Sequence, residues 1–173
     1  LPVMLATKLK KEGYKFQLDI YGGEGNAAKY DVVYSKKELE SLIMKLNVDD
    51  CVCLKGNAPN EEILSAMRSH DIFLFTSDNH EGWGAVANEA MSNGCVLVGS
   101  DAIGSIPFLL TDMKNGLIFK SEEIDSLYEK VKFLIDNEGE RNRMSINGYK
   151  SMRDIWSPKN AAQSLILLIE NLM

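Results

Sequence analysis

Short apolar runs alternate with amphipathic stretches along the chain. KFQLDIY (15–21) places apolar residues at every second position, the period of a strand. SKKELESLIMKLNV (35–48) brings Leu39, Leu42, Ile43 and Leu46 to one helical face. CVCLKG (51–56) reads as a second strand. NEEILSAMRSH (60–70) opens with Asn60 as an N-cap and two early acids, so it reads as a helix. DIFLFT (71–76) is almost continuously apolar, as expected of a strand buried on both faces. The pattern then predicts a helix over 84–93, a buried strand at CVLVGS (95–100) and a short strand at GLIFK (116–120). Helices follow over 122–137, 139–153 and 158–172.

This alternation predicts an α/β fold: a Rossmann-like, doubly wound parallel sheet flanked by helices. One domain over 1–173 is expected, with a helical tail over about 122–173. Ligands of such sheets bind outside the carboxyl ends of the strands. Those ends read YGGEGN, KGNAP, TSDNHEGWG and GSDAIGS. Each loop alone is ordinary turn chemistry, but four polar, small-residue loops on one edge point to a polar ligand. The stretch 22–34 is the least patterned and is expected to be a mobile loop. No internal repeat or low-complexity segment is present.

Composition narrows the partners. The 173 residues carry a net charge of −6, and no basic run stands out. Nucleic acid is therefore not an expected partner, because phosphate backbones require clustered positive charge. No apolar run reaches the roughly 18 residues of a spanning helix. The opening LPVMLATKLKKEG lacks the order of a signal peptide, and it lacks an initiator Met, which suggests a chain that begins mid-protein. Cys51, Cys53 and Cys95 read as reduced, packed thiols. A lone C-x-C pair is a poor zinc site, and His70 and His80 stand too far apart for a helical metal pair. No metal site is expected.

The stretch DNHEGWGAVANEAMSNG (78–94) carries the candidate chemistry. The start of its helix leaves backbone N–H groups unpaired and adds partial positive charge. Glycine lets an anion approach the backbone. Gly82, Gly84 and the amides of Ala85 and Val86 thus form a candidate diphosphate cradle without any lysine. Glu89, about five residues into the helix, lies roughly 7.5 Å along its axis. That is near the reach from a diphosphate to a ribose diol, which a carboxylate grips well. Glu81, before the helix, would meet whatever the distal phosphate carries. The plain alternatives are a solvated helix glutamate at Glu89, since Val86, Ala87, Ala90 and Met91 form the apolar face, and an acid near a helix start at Glu81. Trp83 reads as a packing anchor or as a stacking platform.

EGWGAVANEAMSNGCVLVGSDAIGSIP (81–107) resembles the donor-binding signature of family 4 retaining glycosyltransferases, which have the GT-B fold. DIFLFTS, LKGNAPNEEI and KNGLIF resemble further pieces of that family. The likeness runs from about Leu5 to the C-terminus, so the chain resembles the second half of a GT-B fold. The resemblance implies that Glu89 binds the ribose. It implies that Glu81 contacts the transferred sugar, as the candidate catalytic residue. The backbone of Gly82, Trp83, Gly84, Ala85 and Val86 would hold the diphosphate and sugar, and Gly56, Asn57 and Ala58 would line the base. No metal or cofactor is implied; the donor would be a UDP- or GDP-linked sugar. The acceptor, a glycan or lipid-linked molecule, would be held by an N-terminal domain that this chain does not match, so the chain alone is expected to be inactive. The parent would be cytoplasmic, in solution or at the inner face of the membrane.

Two departures matter. Phe108 stands where the family commonly has Glu, and Val96 where it commonly has Pro. The family's basic phosphate contacts lie upstream; Lys8, Lys10 and Lys11 read instead as a solvated helix face. A GT-B sugar-nucleotide epimerase and a nucleotide-binding module without turnover are the alternative readings. The chain also opens with the helix that follows the first strand of the domain. KFQLDIY is then the second strand and DIFLFT the fourth, with an open slot between them. Three resolutions exist: upstream residues fill the slot, the two edges close on each other, or another copy enters. The first is the expectation.

Overall fold

The computed structural model describes residues 1–22 and 35–172. The expected mobile loop at 22–34 lies outside the described residues except for Gly22. The chain alternates through α1 (Pro2–Lys11), β1 (Leu18–Tyr21), α2 (Lys36–Lys45), β2 (Val52–Gly56), α3 (Asn60–Ser69) and β3 (Ile72–Phe75). It continues through α4 (Val86–Ser92), β4 (Val96–Ser100), α5 (Ile106–Leu109) and β5 (Leu117–Phe119). Helices α6 (Ile124–Asp136), α7 (Glu138–Asp154) and α8 (Pro158–Glu170) form the tail. Every predicted strand and helix is present; most are shortened at their ends, whereas α7 extends one residue beyond the predicted 139–153 at each end. The one-turn α5 was not read from the sequence as a helix.

Local chemistry explains the boundaries. Ser35 caps α2 through its hydroxyl, which accepts from the Glu38 amide, while the Glu38 carboxylate accepts from the Ser35 amide at 2.7 Å. Asn60 is not the N-cap of α3; it is the first helical residue. Pro59 takes the cap position instead, with an extended ψ of 148°, because its ring fixes φ and leaves ψ free to turn the chain into the helix.

All described strand pairs are parallel, and they form two sheets. One is β1–β2; the other is ordered β3–β4–β5. β1 and β3 do not pair, so the two edges have not closed on each other. β4, central in its sheet, is wholly buried. β3 was expected to be buried on both faces, yet Ile72, Phe73 and Leu74 are only half-buried. Its outer edge faces the open slot, so no neighbouring strand covers it.

α1 ties the two halves together. Leu5 and Leu9 pack with Val96, Val98, Leu117 and Val131, while Val3 and Ala6 pack with Ile43, Val48 and Val52. Each buried leucine removes apolar area from water worth roughly 1.5–3 kcal/mol. The lysines of α1 are less free than expected. Lys8 pairs with Asp125, and Lys10 reaches Asp50 and the Asn47 carbonyl at 2.6 Å each. These exposed pairs contribute little stability. At the other end, α8 buries no residue, and Leu165 through Ile169 are each 48–58% exposed.

Candidate functional site

The strands of both sheets run parallel, and the described parts of the polar loops predicted from sequence follow their carboxyl ends. The first two are joined by their backbones: the Gly22 amide donates to the Gly56 carbonyl at 2.7 Å. Gly56 is buried with φ +68°, a conformation that favours glycine, and it turns the chain so that Asn57 is exposed and Ala58 half-buried at the rim.

The loop after β3 is built by short-range bonds. The Asp78 carboxylate accepts from the His80 amide at 2.9 Å and lies 3.1 Å from its ring. The amide, then the ring, hold this carboxyl below its usual range. The Glu81 amide donates to the Asp78 carbonyl at 3.2 Å. The loop after β4 then locks onto it. The Gly104 amide reaches the Glu81 carbonyl at 3.4 Å, and a Cβ on Gly104 would lie 2.4 Å from the Gly82 carbonyl oxygen. Sequence spacing did not signal this contact, although Gly104 belongs to the stretch 81–107 that resembles the family's signature.

Gly84 has φ +65°. A Cβ there would stand 2.2 Å from the Phe75 ring and 3.3 Å from the Glu81 carboxyl carbon. The glycine thus lets the loop fold back over the end of β3 and brings the Glu81 side chain beside it. Ala85 and Val86 follow, and their amides donate to no carbonyl among the described residues, as expected at a helix start.

Helix α4 begins at Val86, two residues later than predicted. Glu89 therefore sits in the first turn, roughly 6 Å along the axis from Ala85 rather than 7.5 Å. With only seven residues, α4 offers mainly its free amides to an anion. Ala87, Ala90 and Met91 are buried and Val86 half-buried, while Glu89 lies off that face and is half-buried. Among the described residues, neither the Glu81 nor the Glu89 carboxylate has a hydrogen-bond or ion-pair partner.

Trp83 is neither a buried anchor nor a lone platform. It is 42% exposed, and its Nε1 donates to Asn88 at 2.9 Å. Its ring meets Trp156 at 5.4 Å and Phe108 at 6.1 Å between centroids. Phe108, the departure from the family pattern, is thus part of an aromatic cluster. Trp156, far off in sequence, was not foreseen; an aromatic just past a polar helix carries no local signal of its target.

Two cavities, of about 480 and 640 Å³, lie between β1 and β3 and include neither Glu81 nor Glu89. Among the described residues, no group of three or more His, Cys, Asp and Glu is placed to hold a metal. No described helix is long and apolar enough to cross a membrane.

Comparison with known proteins identifies the arrangement. The family model "Glycosyl transferases group 1" matches residues 3–151. The poly(glycerol-phosphate) alpha-glucosyltransferase of Bacillus subtilis is 30% identical over 166 residues, which cover 92% of this chain and 22% of that protein. The GDP-mannose:cellobiosyl-diphosphopolyprenol alpha-mannosyltransferase of Xanthomonas oryzae is 29% identical, over 87% of this chain and 38% of its own. The chain thus spans well under half the length of these curated relatives. Among solved structures, the C-terminal domain of the group 1 glycosyl transferase LpcC from Francisella tularensis superposes with a TM-score of 0.78 at 26% identity, covering 90% of this chain and 77% of that one. Anabaena HepE, solved with UDP, shares the fold with a TM-score of 0.76 at 22% identity, over 95% of this chain and 44% of that one. The fold is that of a GT-B C-terminal domain, and the chain belongs to the group 1 glycosyl transferases.

Proposed function

We propose that this chain is the donor-binding half of a retaining glycosyltransferase, which moves a hexose-type unit from a UDP- or GDP-linked sugar to a glycan or lipid-linked acceptor. One observation carries the reading. Two half-buried carboxylates, Glu81 and Glu89, have no side-chain partner among the described residues and flank a glycine loop whose Ala85 and Val86 amides donate to no described carbonyl, at the carboxyl edge of a parallel sheet. In the free chain water can meet these half-exposed carboxylates, and ligand hydroxyls can take that water's place. In this reading the ribose diol donates to Glu89, and hydroxyls of the transferred sugar donate to Glu81. The amides of Ala85 and Val86 hold the diphosphate, and their fixed dipoles stabilise it as it leaves. Gly56, Asn57 and Ala58 form the rim under the base. The names of both curated relatives specify alpha-linked products, which supports the retaining reading.

The acceptor would be bound by a further domain, and the chain alone would bind a donor without transferring sugar. The half-exposed apolar residues of α8 support this arrangement, because a helix that is apolar around much of its circumference belongs in a larger protein interior. A calorimetric screen with UDP-, GDP- and ADP-sugars tests the reading. Saturable binding of one class, weakened by Glu89→Ala, is expected; no binding of any nucleotide sugar to the folded chain would overturn it.

A further inference from the structure

Three aromatic rings from distant parts of the chain meet at the surface beside the glycine loop. Trp83 belongs to the loop itself, Phe108 to α5, and Trp156 to the turn between α7 and α8. Phe108 and Trp83 lie 6.1 Å apart between centroids, with their planes only 30° apart. Trp156 meets Trp83 at 5.4 Å and 57°, and Asn88 of α4 holds the Trp83 Nε1. The rings are thus fixed, yet they stay open to solvent, and Phe108 is 67% exposed. A lone exposed aromatic is ordinary, but a fixed, contiguous group of them marks a binding surface.

The sequence of α5 explains why Phe108 points outward. Ile106, Leu109 and Leu110 enter the core with Phe75, Leu97 and Met152, which leaves Phe108 on the solvent side of this one-turn helix. Backbone contacts set its place near Glu81. The Gly104 amide reaches the Glu81 carbonyl at 3.4 Å, and Gly104 packs against the Gly82 carbonyl too closely for any side chain. Phe108 follows Gly104 by four residues, and Trp83 follows Glu81 by two. The open aromatic face and the Glu81 carboxylate are therefore carried by two loops locked to each other.

The two groups have complementary chemistry. A carboxylate accepts from the hydroxyls around the rim of a sugar ring. An aromatic face is negative and attracts the weakly positive C–H groups on the flat side of a pyranose. No basic residue belongs to the cluster, and the chain carries a net charge of −6, so an anionic membrane surface does not fit these rings. We propose that Phe108, held in place by Trp83, stacks on the C–H face of a sugar whose hydroxyls donate to Glu81. The inference rests on the proposed function, in which that sugar is the one transferred. It adds a residue that reads the sugar and not the nucleotide.

Calorimetry on the 173-residue chain tests this with UDP-glucose against UDP and GDP-mannose against GDP. The ratio of the two affinities in each pair isolates the sugar. Phe108→Ala should lower that ratio by about three- to tenfold and leave the affinity for the diphosphate unchanged. Phe108→Tyr, which keeps the ring, should retain the ratio. Phe108→Leu, which keeps apolar bulk without an aromatic face, should lose most of it. Because Phe108 is exposed, all three variants should melt close to the parent; where Phe108→Ala does not, the comparison of Tyr with Leu carries the test. An unchanged ratio in Phe108→Ala, equal losses with and without the sugar, or full retention in Phe108→Leu would each overturn the proposal. An unchanged ratio with a lower mass in light scattering would assign the rings to a second copy, with the same consequence. If neither nucleotide sugar binds, the proposed function fails, and methyl α-D-glucopyranoside alone reads the stacking by NMR. Saturation transfer from protein aromatic protons to the sugar C–H protons, present in the parent and lost in Phe108→Ala, would uphold it. No transfer in the parent would overturn it.

Discussion

Gly84 lies so close to the ring of Phe75 that a Cβ on the glycine would stand 2.2 Å from the ring's ζ carbon. The last side chain of β3 and the glycine loop are thus one packed unit, and the loop conformation depends on position 84 having no side chain.

Gly84→Ala should accordingly both destabilise and misplace the loop. Its φ of +65° alone costs an alanine on the order of 1–3 kcal/mol, and the clash adds overpacking of about 1–3 kcal/mol. A lower denaturation midpoint with unchanged slope in urea is expected. Gly82→Ala is the control: its Cβ would meet nothing within 4 Å and its φ is not in the left-handed region, so it should melt close to the parent chain. Equal midpoints for Gly84→Ala and Gly82→Ala would refute the argument.

Stability should fall at high pH through Cys95. Its thiol is buried, donates to the Met67 carbonyl at 3.0 Å, and is pushed by burial from 9.0 up to about 11. The folded state holds this proton more tightly than the unfolded state, so its contribution is complete below about pH 9 and is lost as pH rises through about 11. Two units correspond to about 2–3 kcal/mol. Cys51 is shifted the same way, also chiefly by burial, so the test is a difference: Cys95→Ala should be less stable at neutral pH but show a shallower alkaline decline than the parent. Parallel declines in urea melts would contradict it.

Much of this was legible in the sequence, and the misses have physical reasons. Alternation located β1, and short continuous apolar runs located β3 and β4, because both patterns are local in the sequence. The glycine-rich loop and both glutamates are close in sequence, and the structure keeps them together around the start of α4. What failed depended on tertiary context. Asn60 had the chemistry of a cap, but Pro59 before it sets the entry geometry. β3 looked buried on both faces because Ile72, Phe73, Leu74 and Phe75 are apolar, yet burial also needs a neighbouring strand. Contacts such as Trp83 with Trp156 and Gly82 with Gly104 join residues whose local patterns are mutually silent.

Tryptophan fluorescence should report ligand binding. The chain has two tryptophans, Trp83 and Trp156, with rings 5.4 Å apart beside the glycine loop. A nucleotide sugar seated on Gly82 and Gly84 would change the surroundings of Trp83 directly and of Trp156 through it. A saturable change in emission is expected, with a midpoint equal to the calorimetric Kd. Trp83→Phe should lose most of the signal while retaining most of the affinity, because the backbone at 83 persists. A full signal from Trp83→Phe would place the ligand elsewhere.

The two carboxylates should differ in what they recognise. Glu89 sits in the first turn of α4, on the helix side of the free amides, where the proposed nucleoside end lies. Glu81 sits before them, beside Gly84, where the transferred sugar would lie. A lost hydrogen bond to a charged acceptor costs on the order of 1.5–3 kcal/mol, or about ten- to a hundredfold in Kd. Glu89→Ala should therefore weaken a nucleotide sugar and the matching sugar-free nucleoside diphosphate by similar factors. Glu81→Ala should weaken the nucleotide sugar and leave the diphosphate nearly unchanged. Glu81→Gln, which keeps an acceptor oxygen, should recover part of the loss if Glu81 accepts from sugar hydroxyls. Calorimetry on all three variants, with both ligands, reads these factors directly. Equal losses with and without the sugar in Glu81→Ala would remove Glu81 from the sugar and leave it only the role of an acid near the start of α4.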